Sequence, residues 1–339
     1  MRISKRLIAS IIFIFCFITF SFFMFKNLNF EVKSKTKTPT KQLILGFSQI
    51  GSESAWRTRN TQSIIEAAKE NNIQLIVDDA QQKQENQLKA IRSFIVYQVD
   101  VIAFVPIVET GWDNVLKEAK DADIPVIIVD RQIKTDPGLY AGFLGEDSIS
   151  EGKKAADFLL SKFKNTTRQK INIVEFSGTT NSSVAIGRAK GFRNVISKDP
   201  RFNIIHSEDG DFLRSRGKEI MDKIIYNSKG YLTFNNEPID VIYSHNDSMT
   251  LGLLDSLKAN KLSSKNIVIV SVDAEQKSID ELVAGNLNCV IECNPNLGPA
   301  LMELTKQICR GEPIARITYM HESSFTENDD FSKYTARGY

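Results

Sequence analysis

The chain has 339 residues, 42% hydrophobic and 25% charged, with 43 Lys+Arg against 41 Asp+Glu. A net charge of +2 excludes the strongly basic footprint of a nucleic-acid binder. Ample apolar content with 18 Gly and 9 Pro excludes disordered and collagen-like classes, and the length suits about two domains of ~150 residues.

The first element is an apolar segment, Leu7 to Phe25, 19 residues without a charge. Eight of the 21 Phe fall within the first 30 residues. At ~1.5 Å per residue such a helix just crosses a hydrocarbon core of ~30 Å. Arg2, Lys5 and Arg6 precede it like the basic head of an export signal. No Ala occurs between Ala9 and Ala55, so an A-x-A cleavage site is missing, and Phe15 before Cys16 is wrong for a lipoprotein site. The reading is therefore a retained signal anchor over 1–26, with a cleaved signal as the alternative. A buried core helix would show a polar face, and this segment has none. Lys26, Lys33, Lys35, Lys37 and Lys41 outnumber the basic residues before the segment, so charge leaves its orientation open. Residues 27–41 are polar, Lys/Thr-rich and aperiodic, and read as a stalk.

From Gln42 short apolar runs alternate with amphipathic stretches. The runs are 42–48, 73–79, 99–106 and 125–130, and the stretches between them carry apolar residues at helical spacing. The pattern then repeats, with helices expected at 147–163, 184–198, 214–227, 247–259 and 296–309. The runs 170–176, 202–208, 239–245, 265–273 and 289–293 are the matching strands. Runs that are β-branched and apolar on both faces suit buried parallel sheets. The strands are too many for one ordinary sheet. The expected fold is α/β: two doubly wound lobes, the first from 42–146 and 295–315, the second from 147–294. Residues 316–339 are expected to form a crossing and tail.

In such sheets ligands bind beyond the carboxyl ends of the strands. There the sequence places Glu53, Trp56 and Arg57, then Asp130-Arg131, then Glu146-Asp147. In the second half come Arg188, Asp211-Phe212, Asn246-Asp247 and Asp273. Carboxylates and Asn exchange hydrogen bonds with hydroxyls, and Arg offers a planar fork of donors. Trp56 and Phe212 suit the C–H face of a sugar ring. Opposite charges are expected to keep Asp130, Arg131, Arg188 and Asp273 ionised. The chemistry points to carbohydrate binding. No phosphate or dinucleotide loop, G-x-S-x-G elbow or H-E-x-x-H appears, which leaves an enzyme the weaker reading. Cys289, Cys293 and Cys309 have no zinc spacing, and Cys289 with Cys293 reads as core. His206, His245 and His321 are scattered. No cofactor and no metal are called for.

The stretches GFSQIGSESAWR, DAQQKQENQLKAIRSF, ETGWDNVLKEAKDADIPV and DGDFLRSRGKE resemble the type I periplasmic sugar-binding proteins. The likeness runs from about Leu43 to Pro299. It is to the ribose/galactose group, above all the galactofuranose-binding components of ABC transporters. That resemblance implies two lobes joined by three crossings, a hinge, and a sugar gripped between the lobes. It also implies ligand contacts from Glu53, Trp56, Arg57, Asp130, Arg131, Arg188, Asn246 and Asp273, stacking by Phe212, and a hinge place for Glu292. The same lobes occur in LacI-type repressors, but the apolar segment occupies the place of their helix-turn-helix. Membrane-anchored xylose-sensing relatives are also similar. The expectation is thus a membrane-anchored extracytoplasmic receptor for a monosaccharide, a pentose such as xylose or a galactofuranose-like sugar. Its partner would be the ectodomain of a sensor histidine kinase, or alternatively an ABC sugar permease.

Overall fold

The computed structural model describes residues 42–228 and 231–339. The expected anchor (1–26) and stalk (27–41) lie outside the described residues. Among the described residues no helix is long and apolar enough to cross a membrane.

The first half lays down β1 (Ile44–Gln49), α1 (Ala55–Glu70), β2 (Gln74–Asp79), α2 (Gln84–Val96), β3 (Val101–Phe104), α3 (Asp113–Asp121), β4 (Val126–Val129) and β5 (Gly142–Gly145). The second half continues with α4 (Ser148–Lys162), β6 (Ile171–Ser177), α5 (Ser183–Ile196), β7 (Phe202–Asp209) and α6 (Arg214–Tyr226). A short hairpin, β8 (Thr233–Phe234) and β9 (Glu237–Pro238), precedes β10 (Val241–Ser244), α7 (Asp247–Ala259), β11 (Val268–Asp273), α8 (Gln276–Val283) and β12 (Cys289–Glu292). The chain closes with α9 (Gly298–Cys309), β13 (Ile317–Tyr319) and β14 (Ser324–Thr326).

Two six-stranded sheets result, ordered β13-β5-β4-β3-β1-β2 and β14-β12-β11-β10-β6-β7. The first is wholly parallel. In the second only β14 runs antiparallel, against β12. Alternate residues of each central strand enter opposite cores, which is why the runs are apolar throughout. Leu45, Val101, Ala103, Ile127 and Val129 pack with Ile64 of α1 and Leu301 and Met302 of α9. Ile102, Phe104, Val126 and Ile128 pack on the other face with Ile91, Phe94, Trp112 and Leu116. The second sheet divides in the same way.

Three stretches join the lobes: 146–147 after β5, 293–297 before α9, and 320–323 between β13 and β14. The tail therefore supplies one strand to each sheet. Those three-residue strands, β5, the β8–β9 hairpin and α8 escaped the sequence pattern because elements so short carry too few residues to establish a period.

Candidate functional site

At the carboxyl ends of the strands the lobes meet around a narrow cavity of about 30 Å³. It is lined by Glu53, Ser54, Trp56, Arg57, Asp130 and Arg131 from one lobe, and by Val184, Arg188, Phe212, Asn246 and Asp273 from the other, with Cys293 at a crossing. The nine residues named as ligand contacts lie around this one space, whereas the other strand-end candidates, Glu146, Asp147, Asp211 and Asp247, do not line it. Several sit on strained turns: Asp130 (φ 61°), Phe212 (φ 59°) and Asp273 (φ 124°) are left-handed without being glycine. Such conformations cost about 1–3 kcal/mol each and cluster where function over-determines the backbone.

The first-lobe wall is a charged lattice. Ser54 caps α1 by accepting from the Arg57 N–H at 3.0 Å. Arg57 donates from Nη2 to Asp130 Oδ2 at 2.5 Å and from Nε to Glu53 Oε1 at 3.3 Å. Arg131 donates from Nη2 to the same Glu53 oxygen at 2.8 Å, while Gln82 donates to Glu53 Oε2 at 2.9 Å. Glu53 is therefore engaged by the protein and orients two guanidinium groups. Arg57 Nη1 and Arg131 Nε are buried without a hydrogen-bond partner, and both belong to cavity-lining side chains. Burial pulls the Arg57 pKa down, but Asp130 and Glu53 outweigh it and the net shift is upward. Arg131 moves downward, since burial together with Arg57 and Arg188 prevails over Glu53 and Asp130.

The second-lobe wall is more self-contained. Arg188 forms a fork on Glu151, from Nε at 2.7 Å and from Nη2 at 3.2 Å, and its Nη1 donates to the His245 carbonyl. Glycine at 152 makes this possible: a Cβ there would lie 2.1 Å from the Arg188 carbonyl oxygen, so α4 and α5 touch backbone to backbone. Arg188 reaches Asp273 only at 3.6 Å. Burial consequently drives the Asp273 carboxyl well above its ordinary range, despite Arg188. This corrects the expectation that opposite charges keep Asp273 ionised: the arginine meant to hold it is committed elsewhere.

Asn246 does less at the cavity and more behind it. Its Oδ1 caps α7 through the Met249 N–H at 2.9 Å, and its Nδ2 donates to the Phe212 carbonyl at 3.1 Å. The Phe212 ring lies beneath Arg131 and Arg188, whose guanidinium carbons are 5.4 Å and 6.0 Å from its centroid. Trp56 belongs to both lobes: its indole enters the second lobe's core and donates to the Cys293 carbonyl at 2.7 Å. Glu292 accepts from the Ser323 N–H at 2.8 Å and pairs with Arg337, tying two crossings together.

Sequence reasoning missed Ser54, Val184 and Cys293 in the lining, and Glu151 and His245 behind Arg188. Glu151 looks in sequence like any acidic residue in a helix's first turn, so nothing flagged it. Glu151, Cys293 and Glu322 place ligand-type atoms within 4.8 Å of one another. Arg188 already holds Glu151, and burial with Glu151 and Glu146 nearby pushes the Glu322 carboxyl up to about 11. A protonated acid beside an occupied carboxylate makes a hydrogen-bonded cluster and offers little to a cation.

Residues 45–313 match the family described as periplasmic binding protein domain. The galactofuranose-binding protein YtfQ of Escherichia coli is 39% identical over 303 residues, covering 88% of this chain and 93% of that protein. A Mycobacterium smegmatis structure in complex with β-D-fucofuranose shares 42% identity at a TM-score of 0.79, covering 84% of this chain and 91% of that one. The binding component of an arabinose ABC transporter from Shewanella sp. ANA-3, bound to α- and β-L-arabinofuranose, shares 39% identity at a TM-score of 0.78 over 84% and 92%.

Proposed function

The chain belongs to the periplasmic binding protein domain family, and on that premise we propose that it is an extracytoplasmic receptor closing its lobes on a furanose-form monosaccharide. The observation that carries this reading is the mixture of hydrogen-bonding groups around the cavity. Three acids, Glu53, Asp130 and Asp273, stand among three arginines, Arg57, Arg131 and Arg188. Acceptors and donors interleaved in this way, with the raised Asp273 carboxyl able to donate as well, suit the hydroxyls of a neutral polyol. Arg57 Nη1 and Arg131 Nε supply donors that ring hydroxyls can satisfy. The furanoses carried by the similar proteins support a five-membered ring over the pyranose form of xylose. The role is binding, with lobe closure as its output.

Two partners fit that output. The apolar segment Leu7–Phe25, which lacks an A-x-A site, supports an anchored receptor that docks on a sensor histidine kinase ectodomain. The likeness to an arabinose transporter component supports delivery to an ABC permease. Co-purification of the full chain with a kinase ectodomain or with a permease separates them. For the ligand, a thermal-shift panel of D-galactose, D-fucose, L-arabinose, D-ribose and D-xylose is the direct test. A sugar at ~100 times its Kd should add about 2.7 kcal/mol and raise Tm measurably. No shift with any of the five overturns the sugar reading.

A further inference from the structure

Helix α1 begins at the cavity, and its first turn contains no acidic residue. The first N–H groups of a helix lack partners within it, and its N-terminus favours negative charge. Ser54 satisfies the Arg57 N–H. The preceding N–H, that of Trp56, is satisfied from the opposite lobe: Glu275 Oε1 accepts it at 3.1 Å, across 219 residues of sequence. Glu275 is only 3% exposed and is not among the cavity-lining residues. It lies two residues beyond Asp273, on a turn whose Asp273 and Ala274 both have positive φ (124° and 63°). Asp247 holds that turn by accepting the Glu275 N–H at 2.7 Å. Asp247 itself directly follows Asn246, another cavity residue. One braced turn therefore presents Asp273 to the cavity and Glu275 to the other lobe.

We propose that Glu275 is a closure latch, a positioning residue that caps α1 from the second lobe and couples ligand contact at Asp273 to lobe closure. The inference rests on the sugar-binding reading for its ligand and on the Glu275–Trp56 geometry for its mechanism. Opening the lobes breaks this bond and returns the Trp56 N–H to water, so the latch stabilises the closed state alone and raises its share in the unliganded chain as well. The charged groups around it are Asp247 and Asp273 on its own lobe, with Lys277 and Arg214 nearby.

The chain has two tryptophans, so Trp112→Phe leaves Trp56 as the sole indole reporter in the full-length protein. In that background Glu275→Ala and Glu275→Gln are compared by acrylamide quenching and stopped-flow fluorescence, with D-galactose and L-arabinose as probes. Glu275→Ala should weaken binding about tenfold through faster dissociation, with association unchanged, as expected for a charge-assisted bond made after capture. Glu275→Gln retains an acceptor and should return dissociation to within about threefold of the parent. A lowered Tm with an unchanged dissociation rate would mean a merely structural role and would overturn the latch. Should the parent respond to none of the five sugars of the thermal-shift panel, the sugar reading fails, and quenching of the unliganded chain still decides. More quenching in Glu275→Ala than in Glu275→Gln supports the latch; equal quenching overturns it.

Discussion

On the first-lobe side of the cavity, Arg57 and Arg131 share Glu53 and Asp130 and still hold Nη1 and Nε without hydrogen-bond partners. On the second-lobe side, Arg188 is committed to Glu151 and the His245 carbonyl, and Asp273 is left at 3.6 Å. The two walls carry the same residue types in different states of satisfaction. A wall with unmet donors has most to gain from hydroxyls, because each buried group left unpaired carries a desolvation penalty that a ligand removes. The second wall, whose arginine is saturated, contributes shape and one open carboxyl, that of Asp273. First-lobe residues should therefore dominate affinity, and second-lobe residues should refine it.

The sharpest way to break that comparison is to remove one carboxylate from each wall. Asp130→Ala leaves the buried Arg57 guanidinium without the acceptor that aims it at the cavity, and truncating one partner of a buried charge pair at a binding interface costs about 2–5 kcal/mol. Calorimetry should show affinity falling about a hundredfold or more. Asp273→Ala removes a carboxyl that Arg188 does not depend on, and the fall should be about tenfold. Equal losses would show that the walls contribute alike.

A smaller effect is expected behind the second wall. A Cβ on Gly178 would lie 1.9 Å from Cζ of the Phe212 ring, so Gly178→Ala must displace that ring from beneath Arg131 and Arg188. Affinity should drop by about three- to tenfold, the scale of an aromatic or cation–π contact. Unchanged affinity by the same calorimetry would remove Phe212 from the ligand's surroundings.

The last effect is on stability, not affinity, and lies at the crossings. Burial, with Glu151 and Glu146 nearby, raises Glu322 to about 11 in the folded chain, against an ordinary value of 4.5. A carboxyl with a raised folded pKa favours the folded state fully below its unfolded pKa. The unfolded chain releases the proton first as pH rises, so stability declines between 4.5 and about 11. Glu322→Gln should flatten part of that decline in urea titrations run from pH 5 upward. A slope identical to the parent's would show that Glu322 ionises freely in the fold.

Much of the molecule was legible from residue order. Apolar runs such as 99–106 and 125–130 announced strands buried on both faces, and the strand-end rule singled out residues that the fold gathers around one cavity. The roles of those residues were less legible. Glu53 and Asn246 looked like ligand-facing groups, yet both are largely engaged with the protein. Glu151 and Glu275 gave no signal at all, because their partners lie 37 and 219 positions away in sequence.

Periodicity, charge balance and strand-end position are local properties, and they determined by themselves that this chain folds as two α/β lobes with polar residues at the strand ends. Tertiary structure alone decided which of those polar groups are satisfied and which are open. Hydrogen bonding and burial depend on neighbours that only the packed chain brings within about 3 Å. Asp130 and Asp273 are the same amino acid at the same kind of position. One is held by Arg57 at 2.5 Å and the other is left at 3.6 Å from Arg188, and that difference exists only in the fold.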